Sequence, residues 1–199
     1  MTLALTGRWV TVAVTLVLLI LSILAIPLIP QQFFPASDRP ELLVDLNLPQ
    51  NASIHASERA AERLDDILRT DPDVERWSTY VGRGAIRFYL PLNVQLPNDF
   101  FVQAVVVAKD VDARERLHAR LDTVLAEQFP SVVSRVSPLE LGPPVGWPIQ
   151  YRVSGPELSE VRDIALRLAQ VIAASPDTMK VNYDWIEPER EIRIRVDQG

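Results

Sequence analysis

The chain has 199 residues, of which 48% are hydrophobic and 23% charged, a balance that is typical of one or two globular domains. Its net charge is −6 at pH 7, so it lacks the basic balance that binding to nucleic acid phosphates requires. The sequence contains no cysteine, which excludes disulfides and thiolate chemistry and is compatible with any cellular compartment.

The N-terminal segment, residues 1–37, contains a single charged side chain, Arg8, and no charge occurs in residues 9–30. As a helix this run would be roughly 33 Å long at 1.5 Å per residue, enough to cross the hydrocarbon core of a bilayer. A cleaved signal peptide is the alternative, but it would have a shorter apolar stretch and small residues at the cleavage site. We therefore expect a transmembrane helix with a cytoplasmic N-terminus, because a basic residue precedes it and acidic residues begin at Asp38.

Residues 38–142 alternate between a hydrophobic period of two and a helical period. Strands are predicted for "ELLVDLNLP", "VERWSTYVG", "AIRFYLP", "FFVQAVVVAKD" and "VVSRVSPLEL", with a hairpin turn at Gly82 and Gly84. Helices are predicted for "SIHASERAAERLDDILRT" and "VDARERLHARLDTVLAEQF". The inward-facing residues of these helices are predicted to be Ile54, Ala61, Leu64, Leu68, Leu117, Leu121, Val124 and Leu125. The main order, strand–helix–strand–strand–helix–strand, predicts a complete ferredoxin-like βαββαβ domain.

A stiff joint follows at residues 143–148, within "PLELGPPVGWPIQYRVS". Pro143, Pro144 and Pro148 have a fixed φ and no N–H, whereas Gly142 and Gly146 permit sharp turns between them. Because the same pattern of elements restarts after this segment, it is interpreted either as a positioned hinge between two repeats or as an ordinary loop.

Residues 149–199 predict an incomplete second ferredoxin-like unit, so the fold class is α+β. Strands are predicted for "PIQYRVSG", "TMKVNYDW" and "EREIRIRVDQ", and a helix for "PELSEVRDIALRLAQVIAAS". Ser154 and Glu157 have the spacing of a capping box at the start of this helix. Its apolar stripe is predicted to cover one face of the strands, with Leu158, Val161, Ala165, Leu168 and Ile172 inward.

The opposite face of these three strands is predicted to be polar, because side chains alternate along a strand. The residues that share this face are Gln150, Arg152, Lys180, Asn182, Asp184, Arg193 and Arg195. They are candidates for a polar wall along a substrate path, and a plain solvated sheet surface is an equally good interpretation of the pattern.

Residues suited to catalysis or metal binding do not cluster in the sequence. His55 and His118 have no acid, second histidine or cysteine at the spacing of a zinc site. Neither a G-x-S-x-G elbow nor a phosphate-binding loop occurs. The sequence therefore predicts a protein that is not an enzyme, with no cofactor, no metal and no catalytic residue.

The full pattern resembles that of the resistance–nodulation–division (RND) efflux permeases. The residues that carry the resemblance are "PQQFFPASDRPELLVDLNLPQNAS", "RFYLPLNVQLPNDFFVQAVVVAKD", "SPLELGPPVGWPIQYRVSG" and "VNYDWIEPEREIRIRVDQ". They resemble a fragment of the C-terminal half of such a permease. Residues 9–30 are similar to its seventh transmembrane helix, residues 41–139 to the first porter subdomain of that half, and residues 148–197 to the start of the second.

The resemblance implies a part of a proton-driven multidrug efflux permease of the bacterial inner membrane, with residues 38–199 in the periplasm. The family forms homotrimers, works with a periplasmic adaptor and an outer-membrane channel, and passes small-molecule substrates through a cleft between porter subdomains. Its proton-relay residues lie in membrane helices that this sequence does not include. A single-pass, membrane-anchored periplasmic binding or scaffold module is the main alternative. An anchored enzyme of acylphosphatase-like fold is weaker, because "NLPQNAS" offers no basic phosphate loop after the first strand.

Overall fold

The computed structural model describes residues 7–28, 37–142, 146–185 and 194–195, which fall into two compact units, 1–35 and 36–199. In the first unit, helix α1 spans Arg8–Ala25 and continues as a 3₁₀ turn over Ile26–Leu28. Together these 21 residues are long and apolar enough to cross a membrane. The three hydroxyl groups of Thr11, Thr15 and Ser22 each donate to a carbonyl four residues earlier, so the helix itself satisfies them.

The second unit begins with a four-stranded antiparallel sheet. Its strands are β1 (Glu41–Asn47), β2 (Val74–Val81), β3 (Phe101–Ala108) and β4 (Val133–Pro138), and their order across the sheet is β2–β3–β1–β4. β1 lies in the centre, where Val44 faces Ala104 of β3 and Val136 of β4. Helices α2 (Ile54–Thr70) and α3 (Val111–Gln128) complete the βαββαβ sequence. The predicted ferredoxin-like domain is therefore confirmed.

The hydrophobic core lies between this sheet and the two helices. Leu64 and Leu68 of α2 pack with Leu117, Leu121 and Leu125 of α3, and each is at most 1% exposed. Burying one such leucine side chain contributes about 1.5–3 kcal/mol, so this helix–sheet layer is the main source of the domain's stability. The predicted inward residues Ile54 and Val124 lie at the edge of the core and are only partly buried.

The connection between β2 and β3 differs from the prediction. The strand expected in "AIRFYLP" does not form, and residues 82–100 make a long loop instead of a hairpin turn. Both edges of β3 are already paired, with β1 and β2, so this segment has no free ladder to join there. The N–H group of Ala85 donates instead to Oε1 of Gln103 at 2.7 Å. The loop leaves Ile86 and Leu90 exposed and buries Leu92 against Leu43 and Leu139.

The region after the joint contains helix α4 (Leu158–Ala173), as predicted, but no strand among residues 146–185. The strands expected in "PIQYRVSG" and "TMKVNYDW" are therefore not formed, and most of the third, "EREIRIRVDQ", lies outside the described residues. An alternating pattern becomes a strand only when it pairs with a neighbour, and the described residues supply no ladder partner here. The expected capping box is also wrong, because Glu157 is the N-cap and makes no side-chain capping bond.

Helix α4 is only lightly covered by the described residues. Its buried residues are Val161 and Ala169, whereas Leu158 of the predicted inward stripe is 66% exposed. The remaining stripe residues, Ala165, Leu168 and Ile172, are partly buried, although the sheet that was predicted to lie against them does not form among the described residues. The domain boundaries at 142, 148 and 149 and the ferredoxin-like character of this second unit remain predictions.

Candidate functional site

The candidate polar residues that the structure describes are not gathered on one sheet face. Lys180 donates through Nζ to the carboxylate of Asp122 on α3, and Asn182 donates to the carbonyl oxygen of Lys180 at 2.8 Å. Gln150 donates to the carbonyl oxygen of Trp147 at 2.9 Å, within the chain just after the joint. These three residues therefore make separate local contacts instead of one continuous wall.

The remaining candidates are Arg152, Asp184, Arg193 and Arg195. Arg152, Asp184 and Arg195 are exposed, and Arg193 lies outside the described residues. Among residues 146–185 the arrangement expected from strand alternation does not occur, because no strand forms there. The role of the seven residues in a substrate path remains a prediction.

A cavity of about 390 Å³ lies where the joint meets the first domain, and we call it the joint cavity. Its walls are residues 135–138 of the edge strand β4, residues 146–148 of the joint, His118 and Asp122 of α3, Glu140 and Lys180. Of the predicted candidates that the structure describes, Lys180 is the one that lines it. The joint cavity thus lies between α3 and β4 of the first domain on one side and the chain after the joint on the other.

Charged groups of both signs line the joint cavity in pairs. Lys180 is paired with Asp122, and Nη2 of Arg135 lies 3.4 Å from Oε1 of Glu140. The guanidinium of Arg135 also lies 5.8 Å from the centre of the Trp147 ring, within the range of a cation–π contact. An indole face beside paired charges suits an amphipathic molecule, which needs an apolar surface and a polar partner together.

His118 of α3 also lines the joint cavity. Its Nε2 atom lies 3.2 Å from the carbonyl oxygen of Val136 and 3.6 Å from Oδ2 of Asp122. The sequence offered no zinc-site partner for His118, and its contact with β4 could not be inferred from helix spacing. Trp147, Arg135 and Asp122 were also missed, and the signal that pointed toward them was the Trp inside the Pro/Gly-rich joint.

A pair of polar side chains, buried Gln103 and half-buried Asp45, lies on the sheet face opposite the two helices. Nε2 of Gln103 donates to Oδ1 of Asp45 at 2.7 Å, while its Oε1 accepts from Ala85 as described above. Burial raises the pKa of the Asp45 carboxyl, and the Gln103 hydrogen bond and the nearby Arg135 charge partly oppose that rise. This pair anchors the β2–β3 loop to the sheet, so its role is structural.

A second cavity, of about 750 Å³, lies between residues 50–52 and residues 94–100. Its lining is largely amide and carboxylate, and Oε1 of Gln50 is a buried acceptor without a protein donor in the described parts of the chain. Across those same residues there is no group of three histidine, aspartate or glutamate side chains that could hold a metal ion. Neither cavity contains a paired nucleophile and base of the kind that acyl or phosphoryl transfer needs.

Comparisons with known proteins agree with this architecture. The model of the AcrB/AcrD/AcrF family matches residues 1–199. The multidrug resistance protein MdtC of Serratia proteamaculans (strain 568) is 23% identical over 195 residues, which cover 96% of this chain and 18% of that protein. A crystal structure of a heavy metal efflux pump superimposes with a TM-score of 0.62 at 16% identity, covering 96% of this chain and 21% of the pump chain.

Together with the apolar helix and the porter-like sheet, these matches define the class as RND efflux permeases, which are transporters. The chain belongs to the AcrB/AcrD/AcrF family, whose model covers it completely. The sequence resemblance to this class is thereby confirmed. The chain spans about a fifth of the length of these relatives, so their complete activity, substrates and partners are considered only as proposals.

Proposed function

We propose that this chain forms one membrane helix and part of the periplasmic porter region of a proton-driven RND efflux permease in the bacterial inner membrane. The observation that carries the proposal is the family match over residues 1–199, which coincides with a membrane-length helix followed by a ferredoxin-like domain. The asymmetry of charge around α1 supports a cytoplasmic N-terminus and a periplasmic domain.

The joint cavity is the proposed point at which this chain contacts substrate. Its volume of about 390 Å³ is within the range of small-molecule sites, and its lining combines Trp147 with paired charges. A transport path must release what it binds, and partly hydrated charge pairs favour weak and reversible contacts over tight capture. Amphipathic small molecules are therefore the proposed substrate class.

The partners proposed for the complete permease follow from family membership alone. They are two further copies in a homotrimer, a periplasmic adaptor and an outer-membrane channel. Proton coupling would reside in membrane helices outside this sequence, since the one membrane-length helix in the described part of the chain carries no ionisable residue after Arg8. This chain's own contribution to the permease is then part of the substrate path.

The experiment is an efflux assay in cells that lack their own major pumps and express the complete permease. The double variant Arg152→Ala with Arg193→Ala tests the predicted polar wall. Arg69→Ala is the matched control, because Arg69 is an exposed arginine on α2 whose only described partner is Asp66.

At equal expression, we expect the double variant to retain more of a fluorescent amphipathic dye in the cell than the wild type, and Arg69→Ala to behave as the wild type. Dye retention and drug resistance that are unchanged in the double variant for every compound tested would favour a solvated surface. A chain that reaches the membrane and assembles but never lowers dye retention would support the anchored scaffold instead.

A further inference from the structure

Lys180 has a backbone conformation that side chains of its type seldom adopt. Its φ is +56°, in the left-handed region, and among the described residues it is the only non-glycine with a positive φ. This region is disfavoured for residues with a Cβ, and asparagine, aspartate and glycine occupy it most readily. Such an outlier persists only where surrounding contacts impose it, and it is found most often at functional positions.

Two contacts impose this conformation on Lys180. Its Nζ atom donates to Oδ1 of Asp122, a residue of α3 that is 58 positions away in sequence. Its carbonyl oxygen accepts a hydrogen bond from the side-chain Nδ2 of Asn182 at 2.8 Å. The side chains of Lys180 and Asp122 are 28% and 38% exposed, so water reaches the ion pair and the pair can dissociate.

We propose that Lys180 and Asp122 form a latch that holds the segment after α4 against the first domain and keeps the joint cavity narrow. The latch joins two parts of the chain that are also connected through the joint. When the ion pair opens, the left-handed backbone at Lys180 loses the contact that favours it and relaxes. Residues 178–182 then move away from α3, and the wall of the joint cavity formed by Lys180 is removed.

Other charges near the latch explain how it can be both specific and reversible. His118 is the other neighbour of the Asp122 carboxylate, with its Nε2 atom 3.6 Å from Oδ2. On the opposite wall of the cavity, Arg135 is already paired with Glu140. Lys180 therefore has one acidic partner within salt-bridge distance among the described residues, and opening the pair leaves Asp122 with a neighbouring histidine.

The latch can be tested by distance measurement in the full chain, because the sequence contains no cysteine that would take up a label unintentionally. Spin labels at Ala126→Cys on α3 and Met179→Cys, within the segment that is proposed to move, occupy exposed positions on the two sides of the latch. Lys180→Met removes the charge while it keeps the Cβ and much of the side-chain length. Lys109→Met is the matched control, since Lys109 is exposed and is the other lysine of the sequence.

We expect Lys180→Met to lengthen the mean distance between the labels and to broaden its distribution, whereas Lys109→Met leaves both as in the wild type. The exchange variant Asp122→Lys with Lys180→Asp restores an ion pair, and we expect it to return the distance toward the wild-type value. An unchanged distance in Lys180→Met would overturn the latch. A lengthened distance that the exchange variant does not restore would also overturn it, because charge pairing would not be the cause. The readout is independent of transport, so these outcomes do not depend on the proposed function.

Discussion

Arg114 is the buried charge on which the start of the first domain depends. It lies on α3 with 4% of its surface exposed, and its Nη1 atom donates to the carbonyl oxygens of Ser37 and, at 2.7 Å, Arg39. The N–H group of Ser37 in turn donates to the carbonyl oxygen of Leu139 at 3.3 Å. The guanidinium of Arg114 and the backbone bond between Ser37 and Leu139 together hold the segment that enters β1.

Replacing Arg114 with methionine keeps an unbranched apolar stem but removes the hydrogen bonds to Ser37 and Arg39, together with those that Nε and Nη2 donate to Oε1 of Glu115. The carbonyl group of Ser37 belongs to a residue that is 3% exposed, so it loses its donor in a place that water hardly reaches. Each orphaned acceptor costs about 1–3 kcal/mol, and relief from burying the guanidinium charge offsets part of the total. We expect a net loss of about 2–4 kcal/mol in the free energy of unfolding, or about 10–20 °C in Tm for a domain of this size.

The assay is urea unfolding of purified residues 37–142, because the main core lies entirely between Leu42 and Val136. We expect a cooperative transition for the unchanged fragment. Arg116→Met is the control on the same helix, since the Arg116 side chain is 56% exposed and pairs with Asp73 at the surface, where ion pairs contribute about 0–1 kcal/mol. Equal losses for the two variants would refute the role given to Arg114, and a non-cooperative transition of the unchanged fragment would refute an independent domain.

Three further predictions concern backbone strain, pH and topology. Gly82→Ala should cost about 1–2 kcal/mol in the same urea assay, because Gly82 has a φ of +71°, and a wild-type midpoint would contradict this. Hydrogen bonds from Arg116 and Arg120 lower the pKa of Asp73 to about 2 in the folded protein, below its ordinary value of 3.8. Their contribution is therefore complete above about pH 4 and is lost as the pH falls toward 2, so Asp73→Asn should flatten stability against pH in that window; an identical acid profile would contradict it. A reporter enzyme that works only outside the cytoplasm should be active when fused after Val196, and activity of a cytoplasm-only reporter there would contradict the topology.

The first domain was predictable from sequence because its burial follows local periodicity. Val44 of β1 and Val102 of β3 are fully buried, and Leu64 and Leu117 occupy the predicted inward faces of their helices. In a strand, side chains alternate between the two faces of the sheet, and in a helix every third or fourth residue lies on the same face. These two periods determine which side chains of the first domain are buried. The ferredoxin-like order then follows from the sequence of elements, since few topologies accommodate it.

The second region and the joint cavity were less predictable because they depend on contacts between distant residues. Tyr151 and Val181 alternate with polar neighbours as strand residues do, yet alternation does not supply a pairing partner. The pairing of Lys180 with Asp122 joins residues 58 positions apart, and neither residue's local sequence indicates the other. Trp147 was visible as an aromatic residue in the joint, but its position beside Arg135 depends on how the joint passes the edge of β4.

The most direct test of the central claim is to obstruct the joint cavity in the complete permease. Trp147→Cys places a thiol on its wall, and a bulky maleimide then occupies part of its volume of about 390 Å³. The same reagent applied to the permease without this substitution, and to Glu127→Cys on the exposed surface of α3, controls for modification elsewhere. If substrates pass this cavity, dye efflux by Trp147→Cys falls after labelling while both controls keep their rates. If labelled and unlabelled Trp147→Cys export dye equally fast, the joint cavity is not part of the substrate path.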